Sequence, residues 1–142
     1  IANELIHGIS IQSIIPYDKK TLTIVGQQNG INVMKRYSIE SNLFLEEFTL
    51  PVDSIRKVLK IEGEKALVAH SEGIGVVNTE DGAYYDWVIE KGIRYLEWSE
   101  SDALVVGATY HNVFMYSYPQ GEVLSSSLTT DTIKNILLEF NR

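Results

Sequence analysis

One short pattern recurs four times along this chain: Ile, then a polar or basic residue, then any residue, then an aliphatic. It reads Ile11-Gln12-Ser13-Ile14, Ile55-Arg56-Lys57-Val58, Ile93-Arg94-Tyr95-Leu96 and Ile133-Lys134-Asn135-Ile136, with the leading isoleucines 44, 38 and 40 residues apart. A period in this range constrains the fold more than local propensity does. Each repeat must be one supersecondary unit that buries its faces against its neighbours.

The content of each repeat says which unit. About 11 residues after each of the first three anchors comes a run of β-branched, aliphatic and small residues, at 22–26, 67–69 and 104–108. Runs this short, bounded by turn residues, read as buried strands. A tight turn and an apolar-x-apolar segment follow: Gly30-Ile31-Asn32-Val33, Gly73-Ile74-Gly75-Val76 and Asn112-Val113-Phe114-Met115. Gly and Asn suit such hairpins because the central positions need positive φ. A second polar turn (Ser41-Asn42, Glu80-Asp81-Gly82, Pro119-Gln120-Gly121) then leads into a fourth, more exposed strand at 43–48, 83–88 and 122–128.

Four strands and three hairpins in about 40 residues have the period and content of a propeller blade. The sequence therefore predicts an all-β chain: a β-propeller segment of three four-stranded blades over 8–50, 51–90 and 91–129, with 130–142 beginning a fourth. The whole of 1–142 reads as a single partial propeller. A β-sandwich is the alternative, since short strands at regular spacing also build one. Ile133, Ile136, Leu137 and Phe140 fall at helical spacing, yet 133–140 matches the other anchors in register and is read as a strand.

On these residues the repeats resemble WD-repeat-type propellers in the broad sense, from about Gly8 to the end of the chain. The WD-repeat hallmarks, a Gly-His pair opening the blade and a Trp-Asp pair closing its third strand, are absent. The third strands end in Arg36-Tyr37, Val77-Asn78 and Tyr116-Ser117 instead. The short form, an apolar run followed by Gly-Ile-x-Val, is similar to divergent propellers such as citron-homology domains and the repeats of bacterial sensor ectodomains. What the resemblance implies is an architecture and a habit of serving as a binding platform.

Composition narrows the partners. Twelve Lys and Arg against 19 Asp and Glu leave a formal charge of -7, which argues against nucleic acid, whose phosphates call for clustered cations. There is no Cys for a disulfide or thiolate metal site, and no 18-residue apolar run to span a membrane. The chain starts at Ile1 without a targeting segment, which reads as a piece of something longer. Natural rings hold about four to eight blades, so three blades are expected to close with further blades of a parent chain, a second copy or another subunit.

In a propeller, the hairpins joining second to third strands share one face of the disc with the loops joining fourth to first strands. Binding is expected there, because loops on a rigid scaffold vary without unfolding it. The hairpins place Gln28 and Asn29, His70 and Glu72, and Tyr110 and His111 on this face; the connecting loops add Asp53, Lys91 and Asp131. His70, Glu72 and His111 offer the groups of a metal or acid-base cluster, but their spacing matches no ligand motif, so the sequence favours solvent-facing turn residues.

The position after each anchor isoleucine is Gln12, Arg56, Arg94 and Lys134, which predicts a row of cations at the starts of inner strands. Such a row suits an anionic group, or else pairs with Glu90, Asp53 and Asp131 nearby. Tyr84, Tyr85 and Trp87 form an aromatic cluster on an outer strand and are the candidate exposed contact patch. No phosphate loop, GxSxG, HExxH or Cys nucleophile is present, and the carboxylate pairs Glu46-Glu47 and Glu80-Asp81 lie on or beside outer strands. The expectation is a non-enzymatic protein-interaction scaffold without a cofactor or metal. The alternative is a ligand-sensing or enzymatic propeller whose site is completed by other blades.

Overall fold

Strict alternation within nearly continuous apolar runs decides this architecture. The structure, a computed structural model, describes residues 8–134. Its first sheet holds β1 (Ser10–Pro16), β2 (Thr21–Gln28), β3 (Ile31–Ser38) and β4 (Leu43–Thr49). The second holds β5 (Lys57–Lys60), β6 (Lys65–His70), β7 (Gly73–Asn78) and β8 (Tyr84–Val88), and the third β9 (Tyr95–Ser99), β10 (Leu104–Ala108), β11 (Asn112–Ser117) and β12 (Val123–Leu128). Each sheet is an antiparallel meander in chain order, and no helix occurs among the described residues. This is the expected set of three four-stranded blades, not the two packed sheets of a sandwich.

β5 lies beside β1 on one side and β9 on the other, so the first strands adjoin and the fourth strands lie outermost. The three sheets do not close into a ring. The expected start of a fourth blade at 133–140 falls mostly outside the described residues; within them, Ile133 and Lys134 are not in a strand.

Successive side chains of a strand point to opposite faces, and the middle sheet uses both. Ala66 and Val68 of β6 join Val25, Met34, Val58 and Val77 in the core between the first and second sheets. Leu67 and Ala69 join Ile74, Val76, Leu96, Val105 and Tyr116 in the core between the second and third. A strand buried on both faces loses the polar half of its alternation, which is why these runs are apolar almost throughout. β12, at the rim, is exposed along its whole length.

Arg36 ties the first two sheets together. Its side chain is only 7% exposed; Nη1 donates to Glu46 Oε1 at 2.6 Å, while Nη2 reaches the carbonyl oxygens of Thr79 and, at 3.3 Å, Glu80. The guanidinium also lies 4.1 Å from the centroid of the Tyr17 ring. Glu47 turns to the other face of the same sheet and pairs with Lys35 at 2.9 Å, so the two adjacent carboxylates never share a site.

The structure corrects the register of the first repeat. The amides of Arg56 and Arg94 donate to Ala69 and Ala108 at 2.8 Å, just ahead of β5 and β9, and Ile55 and Ile93 are buried beside them. In β1, however, Ile11 stands opposite Gly26, as Val58 stands opposite Val68 and Leu96 opposite Gly107. The ladder slips between Ile11 and Ser13, making Gln12 the extra residue of a bulge. Ile9, 1% exposed, fills the space that Ile93 fills in the third sheet, against Gly26 as Ile93 lies against Gly107. A one-residue insertion moves every side chain to the opposite face, so a match by sequence spacing missed it.

Candidate functional site

The hairpins and the connecting loops do share one face, and backbone hydrogen bonds stitch them together. Asn32 Nδ2 donates to Val52 O at 2.7 Å, and the Leu50 amide donates to Asn32 O at 2.9 Å. Ser71 donates its amide to Asp53 O at 3.3 Å, and Lys91 pairs with Glu72 at 3.6 Å. The Thr129 and Ile133 amides donate to His111 O and Tyr110 O at 2.7 and 2.6 Å. Each hairpin is thereby held by at least one connecting segment.

On this face Asn29 is exposed and adopts a φ of 53°, with Gly30 at 78°, the left-handed pair that a two-residue hairpin turn requires. Gln28 is half-buried; Asp53, Glu72, Lys91, His111 and Asp131 are exposed. Tyr110 is 46% exposed, and the guanidinium of Arg94 lies 4.6 Å from its ring centroid. Of the four positions after the anchor isoleucines, Arg56 and Arg94 hold equivalent places ahead of β5 and β9. Both are half-buried, with Arg94 over the Tyr110 ring, whereas Gln12 sits in the β1 bulge and Lys134 is exposed.

His70 departs most from expectation. It is 5% exposed rather than turned to solvent, because it ends β6 inside the ladder, opposite Gly73. Its Nε2 lies 3.0 Å from the Tyr84 hydroxyl, which donates to Asp86 Oδ1 at 2.8 Å. The Glu72 amide donates to His70 Nδ1 at 3.3 Å. An acceptor Nδ1 leaves the proton on Nε2, so the chain runs from imidazole N–H to phenol oxygen and from phenol O–H to carboxylate.

Burial pushes the His70 pKa down, opposed by the carboxylates of Asp86, Glu72 and Asp53. Burial, then the hydrogen bond to Asp86, raises that of Tyr84. The arrangement holds a neutral imidazole in acidic surroundings.

These groups border a cleft of about 240 Å³ lined by His70, Glu72, Gly73, Asp86, Val88 and Ile89. Two glycines let β8 pack closely beside it: a Cβ at Gly75 would run into the Tyr84 ring, and one at Gly73 into the carbonyl of Val88. The sequence reading missed Tyr84, Asp86, Val88 and Ile89 as partners of His70. The available signal was alternation, since Tyr84 and Asp86 share one face of β8 while glycine occupies the facing position of β7. Among the described residues, no three His, Asp or Glu side chains gather as a metal-binding group.

The aromatic cluster is divided between two faces. Tyr84 turns to His70, whereas Trp87 donates Nε1–H to Pro119 O at 2.9 Å and packs on Tyr116 and Tyr118 of the third sheet. Tyr85 remains exposed.

No family model and no curated protein matches this chain. The solved structures it is similar to include two computationally designed proteins. The likeness to Ika8 has a TM-score of 0.64 at 13% identity and covers 92% of this chain and 41% of that one, so the chain spans less than half of Ika8. The likeness to Ika4 has a TM-score of 0.68 at 13% identity and covers 95% of this chain and 83% of that one. At such identity the likeness concerns the fold.

Proposed function

We propose that this chain is a non-enzymatic protein-interaction module whose binding surface is the face formed by the β2–β3, β6–β7 and β10–β11 hairpins and their connecting loops. The observation that carries this reading is the bonding of hairpins to connectors, which sets the shape of the face before a partner arrives. A preorganised surface loses less conformational freedom on binding and keeps more of its contact energy. Tyr110 over Arg94, together with the exposed Ile89, supplies aromatic, cationic and apolar groups of the kind that dominate interfaces. The outer faces of the first and third sheets, which have no neighbouring sheet among the described residues, fit a second association, with further blades of a parent chain, a second copy or another subunit.

The test compares the immobilised chain with Tyr110→Ala, Arg56→Ala and Ile89→Ser on the face, and with Lys20→Ala and Glu40→Ala at the opposite rim. A protein partner whose affinity falls about tenfold or more with the face variants alone supports the reading. A partner indifferent to all three face variants overturns it.

A further inference from the structure

We infer that the cleft between the β6–β7 hairpin and the end of β8 receives a single cationic side chain, lysine or arginine, flanked by apolar residues in a partner segment. Three observations converge. The first is size: about 240 Å³ falls below the ~300–1,000 Å³ of pockets that enclose whole small-molecule ligands, and suits one side chain.

The second is the make-up of the lining. Val88 and Ile89 give the lining its apolar part, with Ile89 85% exposed, while Glu72 and Asp86 bring carboxylates to the same cleft. Lysine and arginine combine an aliphatic stem with a charged head in just this way. The stem would lie along Val88 and Ile89, with the head between the two carboxylates.

The third is charge. His70 meets the cleft as a neutral ring whose Nδ1 already accepts the Glu72 amide, so it adds no competing cation at neutral pH. Asp86 accepts the Tyr84 hydroxyl through Oδ1 and is otherwise 70% exposed. A native cation, Lys91, stands 3.6 Å from Glu72 with both side chains about two-thirds exposed, a pair weak enough to be displaced. A net charge of -7 further favours approach by a basic segment.

This inference rests on the protein-binding reading of the same face, and the experiment separates them. Three peptides, acetyl-Gly-Leu-X-Leu-Gly-amide with X lysine, arginine or norleucine, are titrated into the isotope-labelled chain while the amide resonances of Glu72, Gly73, Val88 and Ile89 are followed. Saturable shifts are expected with lysine or arginine and none with norleucine; the stronger of the two identifies the preferred head group. The isosteric double variant Glu72→Gln, Asp86→Asn, both sites exposed, is expected to weaken binding about tenfold or more. Equal binding of norleucine, unchanged binding by the double variant, or no binding at all overturns the inference.

If the double variant also retains a partner that Tyr110→Ala loses, the cleft falls and the face stands. If the lysine or arginine peptide binds while neither Tyr110→Ala nor Arg56→Ala alters any partner, the face reading falls and the cleft stands.

Discussion

The hydroxyl of Tyr84 lies 3.0 Å from Nε2 of His70, bridging a histidine buried at the end of β6 to the exposed carboxylate of Asp86 on β8. Tyr84→Phe removes that bridge and leaves a buried imidazole N–H without its acceptor. The expected cost is about 1–3 kcal/mol. It should appear as a lower midpoint in urea unfolding with an unchanged denaturant slope; a midpoint equal to that of the parent chain would show that the bridge does not stabilise the fold.

The same histidine makes stability depend on pH. Burial places its folded pKa below the 6.5 of the unfolded chain. At pH values below 6.5 the unfolded chain binds a proton that the native chain resists, so this contribution is complete above that value and declines as pH falls through it toward the folded pKa. His70→Gln should flatten the stability profile in the range just below pH 6.5. Identical profiles for the two proteins, measured by chemical denaturation across that window, would refute the assignment.

Arg36 joins two sheets, so its removal should loosen one blade from the next. Arg36→Ala deprives Glu46 and two carbonyl oxygens of their donor. The cost of breaking a fully buried pair is ~3–5 kcal/mol; here roughly 2–3 kcal/mol is expected, because Glu46 is 49% exposed and regains water. Hydrogen exchange should rise at Thr79 and Glu80 beyond the global loss of protection.

Two glycines at the same ladder position should respond unequally to alanine. A Cβ at Gly26 would lie 2.5 Å from the carbonyl oxygen of Ser10, part of the backbone, whereas one at Gly107 would first meet Cδ1 of Ile93 at 3.3 Å. Backbone cannot step aside as a methyl end can. Gly26→Ala is expected to cost about 1–3 kcal/mol and Gly107→Ala less than about 1 kcal/mol, read from thermal or urea unfolding.

Much of the fold was legible before the structure. The spacing of Ile55 and Ile93, the glycines and asparagines of the hairpins, and the apolar runs at 67–69 and 104–108 located the strands and their order, because these signals arise from local geometry. The first repeat was placed two residues late, because a bulge at Gln12 keeps an Ile-x-x-Ile pattern while changing which isoleucine is buried. Tyr110 and Glu72 lie exposed in the hairpins that follow β10 and β6. The acidic cleft was not legible in the sequence, since its walls come from β6, β7 and β8 together.

What the sequence determined by itself is therefore the period, the strand content and the end of the sheets where loops gather. Each follows from hydrophobic alternation and turn chemistry within some 40 consecutive residues. Tertiary structure alone decided that His70 is buried and neutral, that Arg36 spans two sheets and that Trp87 packs inward. A side chain's surroundings depend on which sheet lies against it and on ladder register, and a single inserted residue changes both without altering the local pattern.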